Sequence, residues 1–174
     1  MSAHLFGGVM ADAVAAVIEQ WRRERPDVDV SPLEVVARVM RISRLWDKEI
    51  KDFLARHDLE PGEFDMLSTL RRSGEPFELT AGTFLKASLV TTGAITLRVD
   101  RMDAKGLVTR VRDEGDRRSV KIRLTPHGLE VIDQVLPLHL ANEARLLEAL
   151  GEGENRELAS MLCRLLESYG DTGD

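Results

Sequence analysis

The chain has 174 residues, 43% of them hydrophobic, 31% charged and 5% aromatic, with a net charge of −6. That length gives about one domain with its own core, and the composition excludes a disordered chain. No run of ~18 uncharged apolar residues is present to span a bilayer.

The first 25 residues lack the basic start, apolar core and small-residue cleavage site of a secretion signal, and carry Asp12, Glu19 and Arg22-Arg23-Glu24-Arg25 instead. Cys163 is the single cysteine, which excludes an internal disulfide framework and a cysteine-cluster zinc site. A cytoplasmic protein with no membrane partner is the expectation.

Residues 9–25 form the first predicted helix, with Met10, Ala13, Val14, Val17, Ile18 and Trp21 at helical spacing. Ser31-Pro32-Leu33-Glu34 supplies a cap, a first-turn proline and a glutamate three residues on, so a second helix runs from there to about Arg56. Its apolar residues (Val35, Val36, Val39, Met40, Ile42, Leu45, Trp46, Ile50, Phe53, Leu54) cover more than one stripe, as in a helix packed on several sides or between subunits. Pro61-Gly62-Glu63 opens a third helix that Ser73-Gly74 closes. Phe77-Glu78-Leu79 is extended and Thr80 to about Ala87 is a short helix. Thr91 or Thr92 caps the next helix, which ends at Gly106.

The period then changes. Leu107–Val111 and Val120–Leu124 alternate as strands around the charged turn 113–118, forming a hairpin. Thr125-Pro126 begins a long helix with a kink expected at Pro137, and Gly151-Glu152-Gly153 separates it from a last helix over about 155–169. Two short helices and a basic hairpin make a winged helix-turn-helix. The expected class is therefore mainly α (α+β), with an extra N-terminal helix. The boundaries are 1–30 for the N-terminal extension, 31–60 and 126–174 for the flanking helical region, and 61–125 for the winged helix-turn-helix DNA-binding region.

Charge is unevenly spread. Ten basic and five acidic residues lie between Lys86 and Arg123, so that window is +5 and the remainder −11. A local basic patch on an acidic body suffices for phosphate binding, because screening confines the body's repulsion to about 10 Å. The plainer reading is a solvated basic face. The four histidines lack metal-ligand spacing, and no nucleophile elbow, phosphate loop or dinucleotide fingerprint is present. No cofactor and no enzymatic activity are expected. Cys163 lies among Leu158, Met161, Leu162, Leu165 and Leu166, which predicts a buried, inert thiol.

The stretch Arg112 to Gly128, RDEGDRRSVKIRLTPHG, resembles the wing of the MarR family of bacterial transcription regulators. Val90 to Val108, VTTGAITLRVDRMDAKGLV, resembles that family's recognition helix and the R-x-x-x-x-G-L-V at its end. The resemblance covers about residues 31–169. It implies a homodimer whose helical dimerisation domain is built from the terminal helices, residues 31–60 and 126–174, and which binds double-stranded DNA at a pseudo-palindromic operator. The extra N-terminal helix is similar to that of the urate-responsive branch. That branch carries a tryptophan there, an aspartate in the second core helix, an arginine in the recognition helix and an arginine on the first wing strand. The matching residues are Trp21, Asp65, Arg98 and Arg110.

In the recognition helix, Ile95, Val99 and Met102 form the apolar stripe, so Thr92, Thr96, Asp100 and Arg101 project away from it. Thr91, Thr92, Thr96 and Arg101 are the expected helix contacts to DNA, and Asp116, Arg117 and Arg118 the wing-tip residues. An arginine in a narrow minor groove gains from its negative potential, with Asp116 orienting Arg118. Their alternative is a solvated turn whose ion pair contributes little. Arg98 borders the apolar stripe, where an unpaired charge is costly. It serves either an inter-helix salt bridge or a pocket for a small planar anion, possibilities the spacing alone leaves open. Urate fits the paired arginines, with Trp21 as a stacking wall; aromatic acids and small carboxylates fit them too. A winged-helix protein-interaction module without a ligand is the alternative of a different class.

Overall fold

The computed structural model describes residues 12–87, 95–112 and 120–172. Thr91, Thr92, Asp116, Arg117 and Arg118 lie outside the described residues, as does the expected cap of the recognition helix. The chain divides into two compact units, Met1–Glu49 and Ile50–Asp174. In chain order the elements are α1 (Ala13–Glu24), α2 (Leu33–Ala55), α3 (Pro61–Arg72), β1 (Glu78–Thr80), α4 (Ala81–Ala87), α5 (Ile95–Ala104), β2 (Val108–Arg112), β3 (Val120–Leu124), α6 (Pro126–Leu146) and α7 (Glu152–Ser168). None of the described helices is long and apolar enough to cross a membrane.

In the first unit, Asp12 caps α1 by accepting the Ala15 N–H at 2.8 Å and also takes the Arg38 guanidinium at 2.8 Å. Arg22 of α1 meets Glu34 of α2 at 2.9 Å. A small core of Val14, Ile18 and Val30, with Leu33 and Ala37 against it, joins the two helices. The rest of this part of α2 is bare: Val35, Val36, Val39, Met40, Ile42 and Leu45 are 41–59% exposed.

The second unit has a closed core. Met66, Leu67 and Leu70 of α3, Phe84 of α4, Met102 of α5 and Ile132 of α6 are fully buried. Each such side chain contributes roughly 1.5–3 kcal/mol of transfer free energy. The sheet has the order β1-β3-β2, antiparallel throughout, with Glu78 opposite Arg123 and Arg110 opposite Ile122. This cross-strand register carries charge as well as apolar contact. Glu78 takes Lys121 at 3.1 Å and Arg123 Nε at 2.6 Å. Arg123's hydrogen bond, then Lys121's, holds the Glu78 carboxyl below its usual range.

Thr125 ends β3 and starts α6, its hydroxyl donating to Gly106 O at 2.6 Å and accepting the Gly128 N–H at 2.9 Å. Gly128 is needed there, since a Cβ would run into the Leu107 carbonyl. Helix α6 continues through Pro137.

Helix α7 has no buried residue, and this overturns the expectation for Cys163, which is exposed. The leucine-rich neighbourhood is a bare apolar face rather than a core: Met161 is 41%, Leu165 48% and Leu166 51% exposed. The Glu167 carboxylate, 3.6 Å from Sγ, pushes the thiol pKa up. The neighbouring charge thus disfavours the thiolate, where the sequence suggested that burial would.

Candidate nucleic-acid interface and effector site

Helix α5 follows α3 and α4 in the helix-turn-helix. Val99 and Met102 are buried and Ile95 is half-buried, so one stripe of α5 faces the core. Thr96, Asp100 and Arg101 are exposed on the remaining surface. Arg101 is not idle, however, as its Nη1 lies 3.0 Å from Glu60 Oε1. Both partners of that pair are well exposed, so it adds only about 0–1 kcal/mol and yields easily to a phosphate or base edge.

Arg98 leaves α5 on a different side. Its guanidinium lies flat against Gly62 in the first turn of α3, where a Cβ would sit 2.5 Å from Nε and Nη2. Glycine within a helix costs about 1 kcal/mol relative to alanine; here it makes room for the guanidinium. Among the described residues, Arg98 Nε and Nη1 are buried and have no hydrogen-bond partner. A buried guanidinium N–H without an acceptor is costly, which makes this an anion-seeking position. Asp65, three residues after Gly62 and half-buried, lies one turn further along α3.

Arg110 is drawn to the other flank of α5. Its Nη2 lies 2.5 Å from Asp100 and its Nη1 3.7 Å from Asp103. The structure thus places the Arg98 guanidinium against α3 and that of Arg110 on two carboxylates of α5. Trp21 belongs to the first unit. It is 48% exposed and lines a cleft of about 440 Å³ with Arg25, Val28, Pro32 and Leu33.

Three residues of this region escaped the sequence reading. Gly62 was visible as a glycine inside a helix start, and that spacing signals close approach. Glu63 and Lys105 form a pair across 42 residues at 3.0 Å, for which no local pattern exists. Among the described residues, no cluster of three or more His, Cys, Asp or Glu is arranged to hold a metal.

Helix-turn-helix, β-hairpin arms and long flanking helices define a winged-helix regulator. A family model described as MarR family matches residues 57–119. The chain is 37% identical over 152 residues to the HTH-type transcriptional regulator PecS of Dickeya dadantii (strain 3937), spanning 87% of this chain and 92% of that protein. Among solved structures it is similar to AbsC, a MarR family transcriptional regulator from Streptomyces coelicolor. That match has a TM-score of 0.72 at 23% identity, over 83% of this chain and 99% of that one. A mutant MarR from E. coli complexed with operator DNA gives 0.67 at 24% identity, over 80% and 99% of the two chains. The protein belongs to the MarR family and is a DNA-binding transcriptional regulator, not an enzyme.

Proposed function

We propose that the protein is a homodimeric repressor whose hold on a pseudo-palindromic operator is attenuated by a small planar anion, with urate or a related purine as first choice. Arg98 Nε and Nη1, buried against Gly62 and without a hydrogen-bond partner among the described residues, are the observation that carries the ligand. A planar monoanion presents in-plane acceptors to such a guanidinium edge. The bare apolar faces of α2, α6 and α7 support the dimer, as residues 31–60 and 126–174 then form its helical region. The region 61–125 is the DNA-binding part. Two copies of α5 enter successive major grooves roughly 34 Å apart. Thr91, Thr92, Thr96 and Arg101 contact DNA from the helix, and Asp116, Arg117 and Arg118 act at the wing tip.

Arg110 is held by Asp100 and Asp103. An anion that draws Arg110 away loosens the wing strand's grip on α5, and this supports attenuation rather than activation. Asp65 contributes through a hydrogen bond or by being displaced, since an anion repels it. Trp21 offers an aromatic face. Coupling of ~1–3 kcal/mol weakens DNA binding ~5–150-fold, and operator DNA must weaken effector binding by the same factor. A titration with operator-independent effector affinity ends the equilibrium mechanism.

The test is a thermal-shift series with urate, other purines, aromatic acids and small carboxylates, repeated on Arg98→Ala, Asp65→Ala, Trp21→Ala and Gly62→Ala. Urate should raise the melting temperature of the parent and not of Arg98→Ala. Gly62→Ala displaces the guanidinium and should blunt the shift while operator binding persists. A shift by an aromatic acid or a small carboxylate in place of urate selects that alternative effector. Duplex binding without steep salt dependence favours the protein-interaction module instead.

A further inference from the structure

We propose that Lys105 is a positioning residue for operator binding, seating α5 on α3 while making no contact with nucleic acid. The inference rests on α5 being the DNA-reading helix, as proposed above.

Lys105 directly follows α5, its N–H donating to Arg101 O at 3.0 Å. Its side chain is 33% exposed and its Nζ reaches back to the start of α3. It donates to Glu63 Oε2 at 3.0 Å and to the Asp58 carbonyl at 2.7 Å. Glu63 is only 1% exposed, and the same Oε2 accepts the Glu60 N–H at 3.0 Å at the start of α3. Asp58, in the turn after α2, has a left-handed backbone with φ of 55°, and its carbonyl accepts a hydrogen bond from Lys105. One ammonium group therefore joins the turn after α2, the first turn of α3 and the end of α5. A buried carboxylate cannot be left without its cation at small cost, so this junction has one favoured geometry.

The leverage is large. Lys105 lies nine positions after Thr96, which is ~13 Å of helix at 1.5 Å per residue. A tilt of about 10° at the Lys105 end moves Thr96 by ~2 Å, well beyond the ~0.5 Å within which binding groups must be held. The ammonium's two close acceptors are both protein oxygens, which argues against a phosphate contact.

The experiment measures operator affinity by fluorescence anisotropy across a salt series. The variants are Lys105→Met, Lys105→Arg, Glu63→Gln and the Lys105→Met/Glu63→Gln double variant, each at a temperature where its melting curve shows it folded. Lys105→Met should lose on the order of tenfold, comparable with one mismatched base pair, with an unchanged salt slope. Glu63→Gln should weaken binding as well, and the double variant no more than the worse single, because both act through one junction. Lys105→Arg should recover part of the loss. If Lys105→Met does not fold, Glu63→Gln, which keeps an acceptor for the Glu60 N–H, carries the test.

A salt slope reduced by about 0.9 for Lys105→Met would mark a phosphate contact and overturn the proposal. Unchanged affinity with a lower melting temperature would also overturn it, leaving a purely structural pair. Thr96→Glu separates the two levels of inference. If it leaves affinity intact, α5 does not face DNA and the functional reading fails. If it abolishes binding while Lys105→Met and Glu63→Gln bind like the parent, only the Lys105 assignment fails.

Discussion

The core around α3, α4 and α5 and the bare faces of α2 and α7 contain similar residues in opposite circumstances. Met66 is fully buried, whereas Met161 is 41% and Met40 58% exposed. The first region meets its hydrophobic requirement within one chain. The second leaves runs of valine, leucine and methionine in water, more than scattered surface apolars account for. The described core around α3–α5 is closed within one chain, whereas the faces of α2 and α7 are the surfaces that the proposed homodimer would cover.

The largest expected effect comes from charging the bare part of α2. Met40→Glu combined with Leu45→Glu should convert dimers to monomers in sedimentation. It should also cut operator affinity by ~10²–10⁴-fold, because two linked half-site contacts become independent. A dimer that persists with full affinity would remove this face of α2 from the interface.

Next in size is a matched pair of truncations. Met66→Ala should lower unfolding free energy by ~2–5 kcal/mol, independently of protein concentration. Met161→Ala should cost little by single-chain exposure. If chemical denaturation shows a larger loss that depends on concentration, α7 is covered by the partner copy and the contrast between the regions applies to the monomer alone.

The smallest effect concerns the sheet. Because Arg123 and Lys121 lower the folded-state pKa of Glu78, its contribution is present above the unfolded carboxylate range. It is lost as pH falls through the lower folded value. Glu78→Gln should therefore cost about 1 kcal/mol near neutrality and converge with the parent in acid. A difference that persists unchanged at low pH would mean that packing rather than charge joins β1 to β3.

The element order was legible in the sequence because periodicity and punctuation are local. Ser31-Pro32, Pro61-Gly62-Glu63 and Thr125-Pro126 mark helix starts within a residue or two of α2, α3 and α6, and the switch to alternation at Leu107 marks the hairpin. The stripe Ile95, Val99 and Met102 could be assigned to the core on spacing alone. Cys163 could not be placed this way. A leucine-rich helix face reads identically whether its cover is the same chain or another, so burial was inferred where the single chain shows exposure.

Arg98 and Arg110 make the same point about the site. Their residue type and place on α5 and the first wing strand suggested paired cations for one anion. The fold turns one onto Gly62 and commits the other to Asp100 and Asp103. Sequence alone determined which segments are helices and strands, which faces are apolar, and the family, because these depend on neighbours a few residues apart. Which charge meets which carboxylate, as with Lys105 and Glu63 across 42 residues, was decided only by tertiary structure. Such pairs depend on chain closure and helix packing, which have no local period.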